Sequence, residues 1–213
     1  MVNFIIVRHG FSAYNKERRY TGQRDIDLDP IGREQAIVTG RYILENYSVD
    51  AVYASDLRRA VETAKPVADA LGLPVIPKKS FREISLGCFE DHLIDRVREE
   101  FPERFVKSRT ENGYCRLAAD GESYAEGGGR AISEINLLAR RHDGETVLIA
   151  SHGGCIRAML IHWLGIPLEN MRGVPIVPNA SITTGTWDNG KMTLEQIGFT
   201  GHLKDSACDP SVL

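Results

Sequence analysis

The apolar residues fall into two recurring patterns. One is a short continuous run. Val2-Asn3-Phe4-Ile5-Ile6-Val7 has neither a helical nor a strictly alternating period, so it reads as a buried strand. Ala51-Val52-Tyr53-Ala54, Val75-Ile76 and Val147-Leu148-Ile149-Ala150 read the same way. The other pattern is helical. Asp29-Pro30 opens a helix, with Asp as N-cap and Pro in the first turn, and Ala36, Gly40, Ile43, Leu44 and Tyr47 share one face. A second helix follows Ser55, with Leu57, Ala60, Ala64, Ala68 and Leu71 at helical spacing. Pro66 is expected to kink or restart it, and Gly72 to stop it. A third runs from Glu122-Ser123 to about Arg141 with Ile132, Ile135, Leu138 and Ala139 inward. Gly127-Gly128-Gly129 predicts a late start or a bend there. A fourth follows Gly153, with Ile156, Met159, Leu160, Trp163 and Leu164 on one stripe. Ala180–Trp187 and Met192–Ile197 then form a hairpin about Asp188-Asn189-Gly190.

Other stretches carry less pattern. Phe11 to Asp27 is polar and reads as a loop. Residues 80–121 are mostly irregular, with a helix expected over Asp91 to Phe105 and no clear period over Thr110 to Gly121. The alternation of strands and helices predicts an α/β fold, a three-layer α/β/α sandwich around a mostly parallel sheet. The expected organisation is one domain over residues 1–200, a cap-like insert at about 85–121, and a loose tail over 201–213.

Bulk properties narrow the partners. The formal net charge of −3 gives no reason to expect nucleic acid or an anionic membrane. No run reaches the length of a membrane span, and the first strand begins at once with no signal peptide. Cys88, Cys115, Cys155 and Cys208 are scattered, which argues against a zinc site or a disulfide framework and points to reduced thiols in a cytoplasm.

The chemistry gathers at strand ends. Arg8-His9-Gly10 follows the first strand, and Ser151-His152-Gly153 follows Val147–Ala150. In α/β proteins ligands bind at the C-terminal ends of the strands. Arg8, His9, Asn15, Arg59, Glu83, His152 and the helix N-terminus after Gly153 would there form an anion cradle, best suited to a phosphate ester or anhydride. One histidine could attack phosphorus while the other donates to the phosphoryl oxygens, and the residues leave open which does which. Nearby arginines should keep the histidines neutral. Glu83 is the candidate acid for the leaving group. No carboxylate sits at helical spacing from either histidine, so no metal is expected, and no cofactor is called for.

The motifs together resemble the histidine phosphatase superfamily, in its phosphoglycerate-mutase-like branch. Arg8-His9-Gly10 matches R-H-G. Asn15 and Thr21-Gly22 fit the phosphate loop. Ser55-Asp56-Leu57-Arg58-Arg59-Ala60 with Thr63-Ala64 matches S-x-L-x-R-A-x-x-T-A. Arg82-Glu83 with Gly87-Cys88-Phe89-Glu90 resembles E-x-x-x-G-x-x-E-G, although Asp91 stands where Gly is usual. Gly121-Glu122-Ser123 and Ser151-His152-Gly153 complete the order. The resemblance implies a phosphoglycerate-mutase-like fold, His9 as phosphorylated nucleophile, Arg59 as phosphate ligand and Glu83 as proton donor. It implies phosphate contacts from Arg8, Asn15, Thr21, Gly22, Arg59, Glu83, His152 and Gly153. The mutase signature Y-G-x-L-x-G-L-N-K is missing after Glu83, which favours a phosphatase acting on a small phosphorylated metabolite. A phosphoglycerate mutase and a non-catalytic phospho-ligand binder are the alternatives. The physiological substrate and the oligomeric state are not legible.

Overall fold

A computed structural model of the chain describes residues 1–104, 106, 116, 118 and 120–204. Cys115, Cys208, most of the stretch from Thr110 to Gly121 and the end of the expected tail lie outside them. A six-stranded sheet in the order β3-β2-β4-β1-β5-β6 forms the centre. Its strands are β1 (Val2–Arg8), β2 (Ala51–Ala54), β3 (Val75–Pro77), β4 (Thr146–Ser151), β5 (Ile182–Asp188) and β6 (Lys191–Phe199). The first four pair in parallel, and β5 and β6 add an antiparallel margin beyond β1. The sheet is therefore mixed. The hairpin turn has φ of 47° at Asn189 and 86° at Gly190, as a type I′ turn requires.

Both faces of the sheet are covered, which is why β1 shows no alternation. Phe4 and Ile6 pack with Ile135, Ile156 and Met159 on one side, whereas Ile5 and Val7 pack with Ile43, Ala64 and Val67 on the other. Helices α2 (Pro30–Asn46) and α3 (Arg58–Leu71) cover the second side, and α5 (Tyr124–Arg141) and α6 (Gly153–Trp163) the first. Two shorter helices, α1 (Ala13–Lys16) and α4 (Ile94–Glu100), lie in the connections. Among the described residues no helix is long and apolar enough to cross a membrane.

Several expectations need correction. Helix α3 runs through Pro66 without a restart; Gly40 of α2 leaves it room, since a Cβ there would stand 2.8 Å from Pro66 Cβ. Helix α5 starts at Tyr124, immediately after its Ser123 cap, and contains all three glycines. Two of them permit close packing: a Cβ on Gly127 would sit 2.1 Å from Ile84 Cδ1, and one on Gly128 3.2 Å from Ala158 Cβ, whereas one on Gly129 would meet nothing within 4 Å. The helix expected over Asp91 to Phe105 begins only at Ile94 and is interrupted at Phe101, after which residues 102–104 are helical again. Phe11 to Asp27 holds α1, capped by Ser12. Residues Gly201–Leu203 form a 3-10 turn that buries Leu203, so the packed structure extends past residue 200.

Candidate active site

The register of β1 on β4 sets the site. Arg8 pairs with Ser151, so the next residue on each strand is a histidine. His9 N–H donates to the Ser151 carbonyl at 2.9 Å, and the two rings stand 5.1 Å apart. Both rings are buried at the C-terminal edge of the parallel strands.

The two imidazoles are held in different ways. His9 Nδ1 lies 2.7 Å from the Gly10 carbonyl, which can only accept. Nδ1 therefore carries the hydrogen, and in the neutral ring Nε2 keeps its lone pair. His152 Nδ1 instead accepts from Arg59 Nε at 3.2 Å. Its hydrogen is therefore on Nε2, a buried atom without a hydrogen-bond partner among the described residues. Burial, then the Arg59 and Arg8 charges, hold His9 well below the usual histidine pKa. Burial and then the Arg59 charge do the same at His152. The sequence pointed to the arginines; burial is the larger cause.

Arg59 is fully buried, and burial pushes its pKa down to about 10, which leaves it charged at neutral pH. Its Nη1 donates to the Arg24 carbonyl at 2.6 Å and its Nη2 to the Gly22 carbonyl at 2.9 Å. It thus ties the Thr21-Gly22 loop to His152 as well as facing the cavity. Arg8 Nη1 donates to the Val177 carbonyl at 2.7 Å, while its Nε is buried without a partner among the described residues.

The loop carrying the nucleophile candidate is clamped. Gly10 N–H donates to Thr63 Oγ1 and Phe11 N–H to Gln35 Oε1. A Cβ on Gly10 would stand 2.4 Å from the Gly32 carbonyl oxygen, so the first turn of α2 presses on the loop backbone. Asn15 Oδ1 accepts from Ser12 N–H at 3.1 Å and from Asn179 Nδ2 at 3.4 Å, which leaves its amide N–H groups for a ligand. Asn179, which the sequence reading missed, also donates to the carbonyls of His9 and Gly10. It lies in an irregular stretch without a periodic signal.

Glu83 changes the picture of the helix end. Its Oε2 accepts from Gly154 N–H at 3.0 Å, and its Oε1 accepts from Ile84 N–H at 2.8 Å and Cys155 N–H at 2.9 Å. The sequence placed the N-terminus of α6 in the anion cradle. In the structure two of its free amides serve the Glu83 carboxylate. Gly153 gives space: a Cβ there would stand 3.2 Å from Arg8 Cζ.

A cavity of about 240 Å³ opens on these groups. Arg8, His9, Asn15, Thr21, Gly22, Arg59 and Glu83 all line it, and Gly154 does so in place of Gly153; His152, fully buried behind His9 and Arg59, is not among its walls. Its other walls include Tyr20, Leu86, Ile176 and Tyr124, the first residue of α5. The Ser123 cap signalled where Tyr124 begins a helix but not that Tyr124 lines the cavity. Among the described residues no group of three or more His, Cys, Asp or Glu could hold a metal.

Residues 4–200 match the Histidine phosphatase superfamily (branch 1). The chain belongs to this superfamily. It is 30% identical to a probable phosphoglycerate mutase GpmB of Yersinia pestis over 214 residues, covering 98% of each chain. Its fold is similar to that of YhfR from Bacillus stearothermophilus, with a TM-score of 0.89, 28% identity, and 96% of this chain and 100% of that one covered. It is also similar to a mycobacterial glucosyl-3-phosphoglycerate phosphatase in complex with VO3, with a TM-score of 0.84, 25% identity, and coverage of 93% and 99%. Histidine phosphatases similar to this chain thus carry both mutase and phosphatase names. The phosphoglycerate-mutase-like α/β architecture stands on these likenesses and on the sheet order.

Proposed function

We propose that this histidine phosphatase is a metal-independent phosphatase, hydrolysing a small phosphorylated metabolite through a phosphohistidine on His9, with Glu83 as proton donor. The observation that carries the reading is the His9 Nδ1 bond to the Gly10 carbonyl, which leaves the Nε2 lone pair for phosphorus. His9 Nε2 attacks in line, the N–P bond forms and the P–O ester bond breaks. The leaving oxygen takes the proton of Glu83. Of the two carboxyl oxygens, Oε2 accepts one N–H and Oε1 two, so Oε2 has the room to carry that proton. Water then attacks phosphorus, the N–P bond breaks, and a water proton returns to Glu83. Arg8, Arg59 and the His152 Nε2–H would balance the charge on the phosphoryl oxygens.

Hydrolysis of p-nitrophenyl phosphate in excess EDTA tests the proposal. Activity is expected in the wild type and not in His9→Ala; equal activity in both overturns it. The likeness to a probable phosphoglycerate mutase favours a second reading, transfer of the phosphoryl group to another hydroxyl. Conversion of 3-phosphoglycerate to 2-phosphoglycerate faster than hydrolysis of either would establish that reading instead.

A further inference from the structure

Glu83 sits on an irregular stretch with no sheet ladder and no helix to fix its backbone. Side chains do that work. The Glu83 carbonyl accepts from Arg130 Nη2 at 2.8 Å and from Gln23 Nε2 at 3.1 Å. Arg130 extends from α5 and uses its whole fork. Its Nε and Nη2 each meet a Glu122 carboxylate oxygen at 2.9 Å, and its Nη1 donates to the Ser80 carbonyl at 2.8 Å. Glu122 in turn accepts from Ser85 N–H at 2.9 Å and from Gln23 Nε2 at 3.2 Å, and its own N–H donates to the Ser85 carbonyl. The backbone on both sides of Glu83, at Ser80 and Ser85, is thus pinned to one Arg–Glu pair.

The pair also joins elements that the chemistry needs together. Gln23 follows Gly22, whose carbonyl is held by Arg59. Through Gln23, the phosphate loop shares the Glu122 carboxylate with Ser85 N–H and the Glu83 carbonyl with Arg130. The carboxyl group of Glu83 is separately fixed by Gly154 and Cys155 at the start of α6. Its position relative to the cavity therefore depends on two anchors, one on the carboxyl group and one on the main chain.

We propose that Arg130, through its fork on Glu122 and the Glu83 carbonyl and together with Gln23, is a positioning residue that aims the Glu83 carboxyl group at the leaving-group oxygen. The inference rests on Glu83 being the proton donor. Arg130 is not among the walls of the cavity. The bidentate fork is essential, because a lysine ammonium cannot meet Glu122, Ser80 and Glu83 in one plane.

A leaving-group comparison tests this. Departure of p-nitrophenolate scarcely needs a proton, whereas that of an alkoxide from an alkyl phosphate such as glycerol 3-phosphate does. Arg130→Lys, Arg130→Ala and Gln23→Leu are compared with Glu83→Gln, with thermal melting checking that each folds. In both Arg130 variants and in Gln23→Leu, kcat/KM for the alkyl phosphate is expected to fall roughly 10–100-fold, while that for p-nitrophenyl phosphate falls less than about threefold. Gln23→Leu keeps the test open if the Arg130 variants do not fold. Equal losses on both esters in these variants, with a selective loss in Glu83→Gln, overturn the positioning role alone. Equal losses in Glu83→Gln as well remove Glu83 from the acid role, and the positioning role falls with it. Full recovery by Arg130→Lys also overturns the proposal, since charge without the fork would then suffice.

Discussion

The ends of β1 and β4 carry the same dipeptide, and the structure treats them oppositely. At His9 the partner of Nδ1 is a carbonyl; at His152 it is a guanidinium N–H. A carbonyl forces the hydrogen onto Nδ1 and an arginine forces it off, so the two neutral rings are opposite tautomers. One presents a lone pair and the other an N–H, 5.1 Å apart between centroids. The difference is set by one neighbour at each ring rather than by the motif. It supports His9 as the nucleophile independently of any family resemblance.

The largest test of this contrast is removal of each ring in turn. His9→Ala is expected to lower kcat/KM by roughly 10⁴-fold or more, and phosphate should never be trapped on the variant protein. His152→Ala should cost about 10²–10³-fold, as for loss of one oxyanion donor, with phosphate still trapped on His9. Mass spectrometry of the acid-labile phosphoenzyme reads both, and label on His152 would reverse the assignment. Next in size is Arg59→Lys, which cannot hold Nδ1 of His152 and the carbonyls of Gly22 and Arg24 together. A loss of about 10²-fold in kcat/KM with a lowered melting temperature is expected, and an unchanged kcat/KM would dissociate the tautomer from catalysis.

The smallest effect is on stability. Both rings are held neutral well below the pH, about 6.5, at which an unperturbed histidine takes its proton. Below that pH the unfolded chain binds more protons than the folded one, so stability falls with falling pH. Each buried ring should contribute a loss of roughly 1–2 kcal/mol by pH 5. His202, held by burial at about 4, adds to the same slope until the pH reaches its own value. Denaturant titrations at pH 7 and pH 5 check this; a slope unchanged in His152→Asn would show that its ring does not titrate on unfolding.

The sequence made the sheet legible because both of its faces are covered, which leaves runs such as Val147-Leu148-Ile149-Ala150 without polar interruption. The site residues were legible because Arg8, His9, Arg59 and His152 sit at strand ends or in the first turn of a helix, where spacing predicts position. Glu83 was found by motif, but its two partners on α6 were not, since Gly154 and Cys155 lie some seventy residues on. Asn179, Arg130 and Tyr124 were missed for the same reason. Each acts across a long sequence separation from a stretch whose own pattern describes only its local fold. That α3 continues past Pro66 without a restart was not legible, because the glycine packed against Pro66, Gly40, belongs to another helix.

Helix α5 has a consequence for the order in which the protein assembles. Three successive glycines in its first turns cost about 3 kcal/mol relative to alanines, and no short helix with that composition holds its shape alone. Those turns become stable only against Ile84, on the irregular stretch beside Glu83, and Ala158, on α6. They should therefore form late in folding, open first in the native state, and show the weakest amide hydrogen-exchange protection in this helix apart from its fraying C-terminus. Arg130 lies one residue past the glycines, so the scaffold that pins Glu83 would be completed only after the sheet edge bearing the two histidines exists.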